Sequence, residues 1–477
     1  MEVTFKYIKN RIGEHSREDL LSACFNLLDS KRDETFPIWN IFILIKWAYK
    51  FAGNKYPSNP LTDEKFSKIY NSVSNFNQEH ITQFMKDGKV DRAFNILYSQ
   101  QFYLQKNVYR EVFATQLKLY KSINGKYDID RSFKDKTGFS IFDFLYLQQL
   151  VWLYVNLNVL EKSTLKFDGF LSTDFLNISA DLTSVEKVKK FLNLLVLNPI
   201  NPLESINNFK RGINNEDLQS METTFFTLYP FHIHSNQIKL VHKALFNHTV
   251  NYYIYDYLKS NDELFTTEFG HRFEKYIELG LKEICYKYKT ENEIKKILIK
   301  NSKVVDYFIE DYNIFIECKA IEIQSHTSVN PTDELLYNSL KSSLLKAYFE
   351  QLITVAKHLS PNNENWGIIV TYKELFWSRF TELFELGKDK YESSKDYKFL
   401  KPENVFIIDI YTWDKIIQII KDKKATLLEI LQEAKSNNLK PETSKQLFGM
   451  HLDIYKFETM NLNYLKDEIQ ELQIKVD

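Results

Sequence analysis

Apolar residues recur at three- and four-residue intervals through most of the first 250 or so positions of this chain. Segments 17–28, 38–51, 93–105 and 141–157 carry this spacing most clearly, and Gly and Pro are sparse within them. Such spacing places apolar side chains on one face of a helix, so the pattern predicts a large helical region. No repeat of fixed period and no nucleotide-binding glycine loop interrupts it. Between 304 and 320 the period changes. Val304-Val305-Asp306-Tyr307-Phe308-Ile309 and Ile314-Phe315-Ile316-Glu317-Cys318-Lys319-Ala320 are β-branched and aromatic runs separated by Glu310-Asp311-Tyr312-Asn313, which predicts a β-hairpin.

The hairpin carries charges inside apolar strands. An even-numbered turn sets Asp306 opposite Glu317 and Val304 opposite Lys319, because residues directly across an antiparallel pair share a face. Glu317 and Lys319, two apart, share that face as well, and Cys318 points into the core on the other. An unpaired buried ion costs several kcal/mol, so these charges need partners. Two converging carboxylates offer hard oxygen ligands suited to Mg²⁺ or Mn²⁺. The lysine beside them would orient or deprotonate an attacking water, or neutralise charge developing on a phosphate. The competing reading makes Asp306 a polar residue near a turn, and Glu317 with Lys319 an ordinary ion pair on an exposed edge strand.

The acid-x-lysine pattern alone decides nothing, since it occurs at eight places in the chain, including Asp29 to Lys31 and Glu433 to Lys435. Glu317-Cys318-Lys319 differs in lying inside an apolar strand with an acid on the strand before it. In this context the segment resembles the PD-(D/E)xK nuclease superfamily, with its restriction-endonuclease-like fold. Val305 stands where the superfamily's name has a proline. The resemblance spans 261–420 and implies metal-binding and catalytic roles for Asp306 and Glu317, and a catalytic role for Lys319. It also implies a supporting metal ligand on a preceding helix. Within Phe269-Gly270-His271-Arg272-Phe273-Glu274, Glu274 fits that position, with Glu278 one turn later as its competitor. The expected order is helix, three strands, helix, strand, helix, strand. Ile297-Leu298-Ile299 would form the first strand, 332–359 one long helix, 366–371 a buried strand and 405–410 the last. Gln351 and Lys346 on the long helix become candidate nucleic-acid contacts.

Composition adds limits. The 477 residues suffice for two or three domains. The expected division is a helical part over 1–258, an α/β nuclease-like domain with a mixed central sheet flanked by helices over 259–424, and a helical tail over 425–477. No apolar run approaches a membrane span, and the first residues lack a signal-peptide pattern. Three scattered cysteines, Cys24, Cys285 and Cys318, give neither a disulfide framework nor zinc spacing, so a reducing cytoplasm is the expected location. A net charge of −1 supplies no overall basic footprint, so any nucleic-acid surface must be local. Segment 387–401 offers Lys388, Lys390, Lys395, Lys398 and Lys401 interleaved with Tyr391, Tyr397 and Phe399, with a solvated linker as the plainer reading. Arg110, Lys118 and Lys121 form a second basic stretch, read first as a solvated helix face. His232 and His234 share a strand face, with His242 and His248 beyond, and read as polar structure rather than a metal site. Leu462, Leu465, Ile469 and Leu472 form a seam expected to pack on the body in preference to a second subunit.

These features lead to an expected Mg²⁺- or Mn²⁺-dependent endonuclease. DNA is favoured over RNA, transfer RNA included, a role as an effector of a bacterial anti-phage defence system is expected, and the expected protein partner is a second copy of the chain or a protein of that defence system. A degenerate nuclease fold used only for binding or assembly is the alternative from another class.

Overall fold

The computed structural model describes residues 3–30, 37–53, 60–87, 89–101, 108, 111–157, 170–171, 183–234, 237–298, 303–377, 379–440, 442–456 and 459–473. Helices occupy Arg17–Ser30, Ile38–Phe51, Val90–Gln101 and Ile141–Leu157, where the apolar spacing predicts them. Residues 102–105 of the third segment, together with Arg110 and Ile299, lie outside the described residues.

Two sheets are present among the described residues. Strands β1 (Phe170–Leu171), β2 (Phe231–His234) and β3 (Gln237–Leu240) form a small antiparallel sheet in the order β1-β3-β2. The larger sheet comprises β4 (Tyr288–Thr290), β5 (Tyr307–Ile309), β6 (Ile314–Lys319), β7 (Trp366–Thr371) and β8 (Val405–Asp409), in that spatial order. The pairs β4–β5 and β5–β6 are antiparallel, and β7 and β8 run parallel to β6, so the sheet is mixed. A helical part and a smaller α/β region are therefore both present.

Each face of this sheet is buried, which explains why its strands are continuous apolar runs. Phe308, Phe315, Ile369 and Ile407 face a core built with helices Asp333–Leu340, Ile353–Leu359 and Thr381–Gly387. Ile309, Ile316, Cys318, Val370 and Ile408 face a second core with helices Lys243–Asn261, Phe265–Glu283 and Ile410–Lys421. That second core continues into Glu111–Leu117 and Ile141–Leu157 and into Leu462, Leu465 and Leu472, and Ile469 packs against it from a partly buried position. Position 258 falls within helix Lys243–Asn261. Residues before 80 have their own core, closed by Leu197, Phe209, Phe226 and Leu245. No helix among the described residues is long and apolar enough to cross a membrane.

Three expected elements differ. Ile297 ends the helix Glu291–Ile297 instead of starting a strand, because the Thr290 hydroxyl and Glu293 carboxylate form a capping box that commits the following turn to helix. The first strand is instead the preceding Tyr288–Thr290. Segment 332–359 is not one helix: the chain leaves helical geometry at Ser343 (φ −127°, ψ −96°), resumes at Leu344–Lys346 and passes through a π-helical turn, Ala347–Leu352. Ile410 begins a helix because the Asp409 carboxylate accepts from Thr412 N at 2.9 Å, an N-cap that ends β8 one residue early.

Candidate metal centre on the central hairpin

The hairpin turn is a 3₁₀ turn, Glu310–Tyr312, closed by Asn313 in the left-handed region at φ 52°, which asparagine tolerates better than most residues. It pairs Tyr307 with Ile316 and Ile309 with Ile314, as the even-numbered turn requires, and the same register carried one step past the end of the ladder sets Asp306 across from Glu317. Phe308 and Phe315 stack at 4.5 Å beneath this pair and hold the two strands together on the charged face. Central β6, hydrogen-bonded to β5 on one side and β7 on the other, is no exposed edge, and Glu317 is 1% exposed. That removes the reading of Glu317 and Lys319 as a solvated edge pair.

Each charged group has defined partners. Asp306 Oδ2 accepts from Cys318 N at 2.7 Å, which ties the start of β5 to the end of β6. Glu317 Oε1 pairs with the Lys319 ammonium and accepts from Gln351 Nε2 at 2.7 Å. Gln351 also donates to Val304 O at 2.8 Å, so the π-helical turn is keyed both to β6 and to the segment that leads into β5. The second oxygen of Glu317, Oε2, is buried and has no hydrogen-bond partner. An unsatisfied buried acceptor costs about 1–3 kcal/mol, more when charged. Burial and the neighbouring Asp306 push the Glu317 carboxyl up, and burial also raises Asp306, opposed by its bond from Cys318. Burial works against the Lys319 ammonium too, but Glu317 and then Asp306 outweigh it and hold its pKa above the usual lysine value. The Lys319 ammonium is therefore a positive charge held against the two carboxylates.

Glu274 comes from the helix Phe265–Glu283, whose apolar side, Phe269, Phe273 and Ile277, is buried against the sheet. The Tyr307 hydroxyl donates to Glu274 O at 2.9 Å, which fixes this turn of helix to β5. The Glu274 carboxyl is pushed up to about 7, by partial burial first and then by the charges of Asp306 and Glu291. Glu291 also raises Asp306, so a fourth acid from the first turn of helix Glu291–Ile297 feels the same centre. Sequence reading missed Glu291 because it placed the first strand at Ile297-Leu298-Ile299 and so did not see the capped helix Glu291–Ile297. Glu278, the competitor of Glu274, instead accepts from the Tyr288 hydroxyl at 2.8 Å and pairs with Lys282.

Two facing carboxylates, an orphaned carboxylate oxygen and a third acid within electrostatic reach fit a small hard cation held by one or two carboxylates and otherwise by water. No group of three or more His, Cys, Asp or Glu side chains among the described residues encloses a metal position by itself. The fit thus rests on Asp306 and Glu317, with Glu274 beside them.

The remaining candidates disperse. Lys346 lies in the short helix Leu344–Lys346 before the π-helical turn and makes no bond to the carboxylates. Lys388 pairs with Glu385, Lys390 lies 4.0 Å over the Tyr337 ring, and Lys395 is exposed. Lys401 is exposed, and Lys398 lies 5.1 Å over the Phe399 ring. Tyr391 stacks on Phe349 at 4.7 Å and is used in packing, whereas Tyr397 is 49% exposed. Lys303, Glu350, Lys390 and Tyr391 line a shallow groove of about 550 Å³ at the turn that carries Gln351, which brings Lys390 to the same side of the fold. Lys118 and Lys121 pair with Glu468 and Glu471 of the tail, so they hold the C-terminal segment on the body. His232 stacks on Phe25 at 3.9 Å, and the His242 ring caps Lys243–Asn261. No family model, curated protein or solved structure matches this chain.

Proposed function

We propose that this protein hydrolyses phosphodiester bonds with the help of Mg²⁺ or Mn²⁺, and that DNA is its substrate. The observation that carries this reading is Glu317: a carboxylate in a central strand, opposite Asp306, with one oxygen held by Lys319 and Gln351 and the other unsatisfied. Buried polar atoms are almost always bonded, so an unsatisfied one on a carboxylate that feels the charge of Asp306 supports a ligand that completes it. Asp306, Glu317 and Glu274 would hold the cation, and when bound it supplies charge for the phosphate and a water of lowered pKa.

The chain's own groups do the rest. Gln351 fixes the Glu317 carboxylate, which otherwise rotates about its terminal torsion. Cys318 N fixes Asp306. The Lys319 ammonium is placed to hold a phosphate oxygen or orient the attacking water, and its positive charge opposes the negative charge that grows as the bond breaks. Buried β6 keeps these groups on rigid backbone, which favours electrostatic preorganisation. A role as the effector of a bacterial defence system belongs to the same proposal, as does a second copy or a partner protein.

The test is cleavage of a mixed panel of duplex DNA, single-stranded DNA and RNA, with Mg²⁺ or Mn²⁺, by the native chain and by Asp306→Ala and Lys319→Ala. Product formation by the native chain, reduced at least a hundredfold in both variants, is the expected result. Cleavage confined to RNA would reassign the substrate. Nucleic-acid binding that persists in EDTA without turnover in any condition would favour a binding protein on a degenerate fold.

A further inference from the structure

A cavity of about 760 Å³, whose lining does not include Asp306, Glu317 or Lys319, lies between the helical part and the C-terminal ends of β6 and β7. It is walled by 209–215, by helix Lys243–Asn261, by 322–329 and by 373–376. Its size falls in the range of small-molecule sites, and a crevice beyond the carboxyl ends of parallel strands is where open α/β sheets bind ligands.

Its chemistry is uneven. Four basic side chains line it, Lys210, Arg211, Lys259 and Lys373, against three carboxylates, Asp256, Glu322 and Glu374. Glu374 is turned to its own loop, where it accepts from Phe376 N at 3.1 Å. The other two acids are shared among three cations: Arg211 Nη2 reaches Asp256 Oδ1 and Glu322 Oε1, each at 2.5 Å, Lys373 contacts the same two oxygens, and Lys259 takes Glu322 Oε2. One guanidinium nitrogen makes both of the Arg211 bonds, so Nε and Nη1 have no protein acceptor among the described residues. Lys373 is buried beside Arg211, and both that burial and that like charge lower its pKa. Three cations around two carboxylates leave positive charge in excess, in a partly desolvated place where an anion gains most.

The rest of the wall is apolar, with Phe209, Leu228, Ile323 and Phe376 among its residues. Phe376 sits at φ 61°, a conformation that costs a bulky residue about 1–3 kcal/mol and that clusters at ligand clamps.

We propose that this cavity binds a phosphate-bearing organic molecule of nucleotide size, its phosphate displacing Glu322 from Arg211 and Lys259 and its organic part resting on the apolar wall. Glu322 follows Lys319 by three residues, a span of at most about 10 Å of chain. An exchange of partners at Glu322 therefore takes place beside the end of β6. The proposal does not depend on the nuclease reading, because its readout is binding.

Calorimetric titration of the full chain with AMP, inorganic phosphate, a 5′-phosphorylated trinucleotide and its 5′-hydroxyl counterpart tests it. AMP or the phosphorylated trinucleotide binds, inorganic phosphate binds at least tenfold more weakly, and the 5′-hydroxyl form binds weakest. Lys259→Ala weakens binding by about tenfold. Glu322→Gln, which keeps the shape and removes the competing charge, tightens it by threefold or more. Preference for AMP assigns a free nucleotide, and preference for the trinucleotide assigns a nucleic-acid end. Absence of binding by every probe at about 1 mM, in the native chain and in Glu322→Gln alike, overturns the proposal. Binding that Lys259→Ala leaves intact and Glu322→Gln weakens also overturns it.

Discussion

At the scale of single residues, the Asp306–Glu317 centre holds more negative charge than its protein partners balance. The carboxyl of Glu274 is raised from its ordinary value to about 7, and Asp306 and Glu317 are displaced in the same direction, chiefly by burial. A raised folded-state pKa means the folded protein binds the proton more tightly than the unfolded chain. Its contribution to stability is therefore complete below the ordinary glutamate pKa and is lost as pH rises through about 7 for Glu274. A bound divalent cation would replace that proton, so MgCl₂ or MnCl₂ is expected to raise the melting temperature more at pH 8 than at pH 5, and to do so little in Asp306→Asn. Equal shifts at both pH values would show the acids are not the cation's ligands. Glu317→Gln in metal-free buffer at pH 8 is expected to melt about 1–3 °C higher than the native chain, because it removes an ill-compensated buried charge while removing function. The pairing of Asp306 with Glu317 was legible in the sequence, since side-chain alternation and turn length determine it. The bonds of Gln351 to Glu317 and Val304 O were not, because they depend on a π-helical turn that no periodicity signals.

At the scale of elements, what was legible followed the strength of the local pattern. Trp366–Thr371 is unbroken and apolar and has the limits its sequence predicts. Tyr288–Thr290 has three half-buried residues and no alternation to read, and Ile297-Leu298 beyond it mimics a strand while ending a capped helix. The break at Ser343 is hidden by leucines on both sides that continue the helical spacing. Helix Phe265–Glu283 sets the reach of Glu274, and its seat is a close approach: a Cβ on Gly280 would meet Trp413 Nε1 at 2.6 Å and Ile417 Cγ1 at 3.0 Å. Gly280→Ala is expected to destabilise the protein by about 1–3 kcal/mol through overpacking, read as a lower midpoint in urea unfolding. An unchanged midpoint would mean that the two helices can separate without loss.

At the scale of the whole molecule, the two faces of the central sheet belong to different cores, and only one of them continues into the helical part and the tail. Leu462, Leu465 and Leu472 are buried in that shared core, and Lys118 and Lys121 pair with the same tail. Burying each leucine is worth about 1.5–3 kcal/mol, so removing 459–473 is expected to yield an unstable or aggregating chain, checked by its melting temperature and by size-exclusion chromatography. The sequence predicts this packing through the leucine spacing, but it holds no sign of the cavity at the ends of β6 and β7. That cavity joins Arg211, Asp256, Glu322 and Lys373, residues separated by up to 162 positions in the chain. The central claim is that Asp306 and Glu317 form a divalent-cation centre, and electron paramagnetic resonance of Mn²⁺ titrated into the full chain at pH 8 tests it most directly. The account predicts that the native protein removes free Mn²⁺ signal through a site that Mg²⁺ competes for and that is lost in Asp306→Asn and in Glu317→Gln, with both variants folded. Mn²⁺ binding of equal strength in the native chain and in both variants would contradict it.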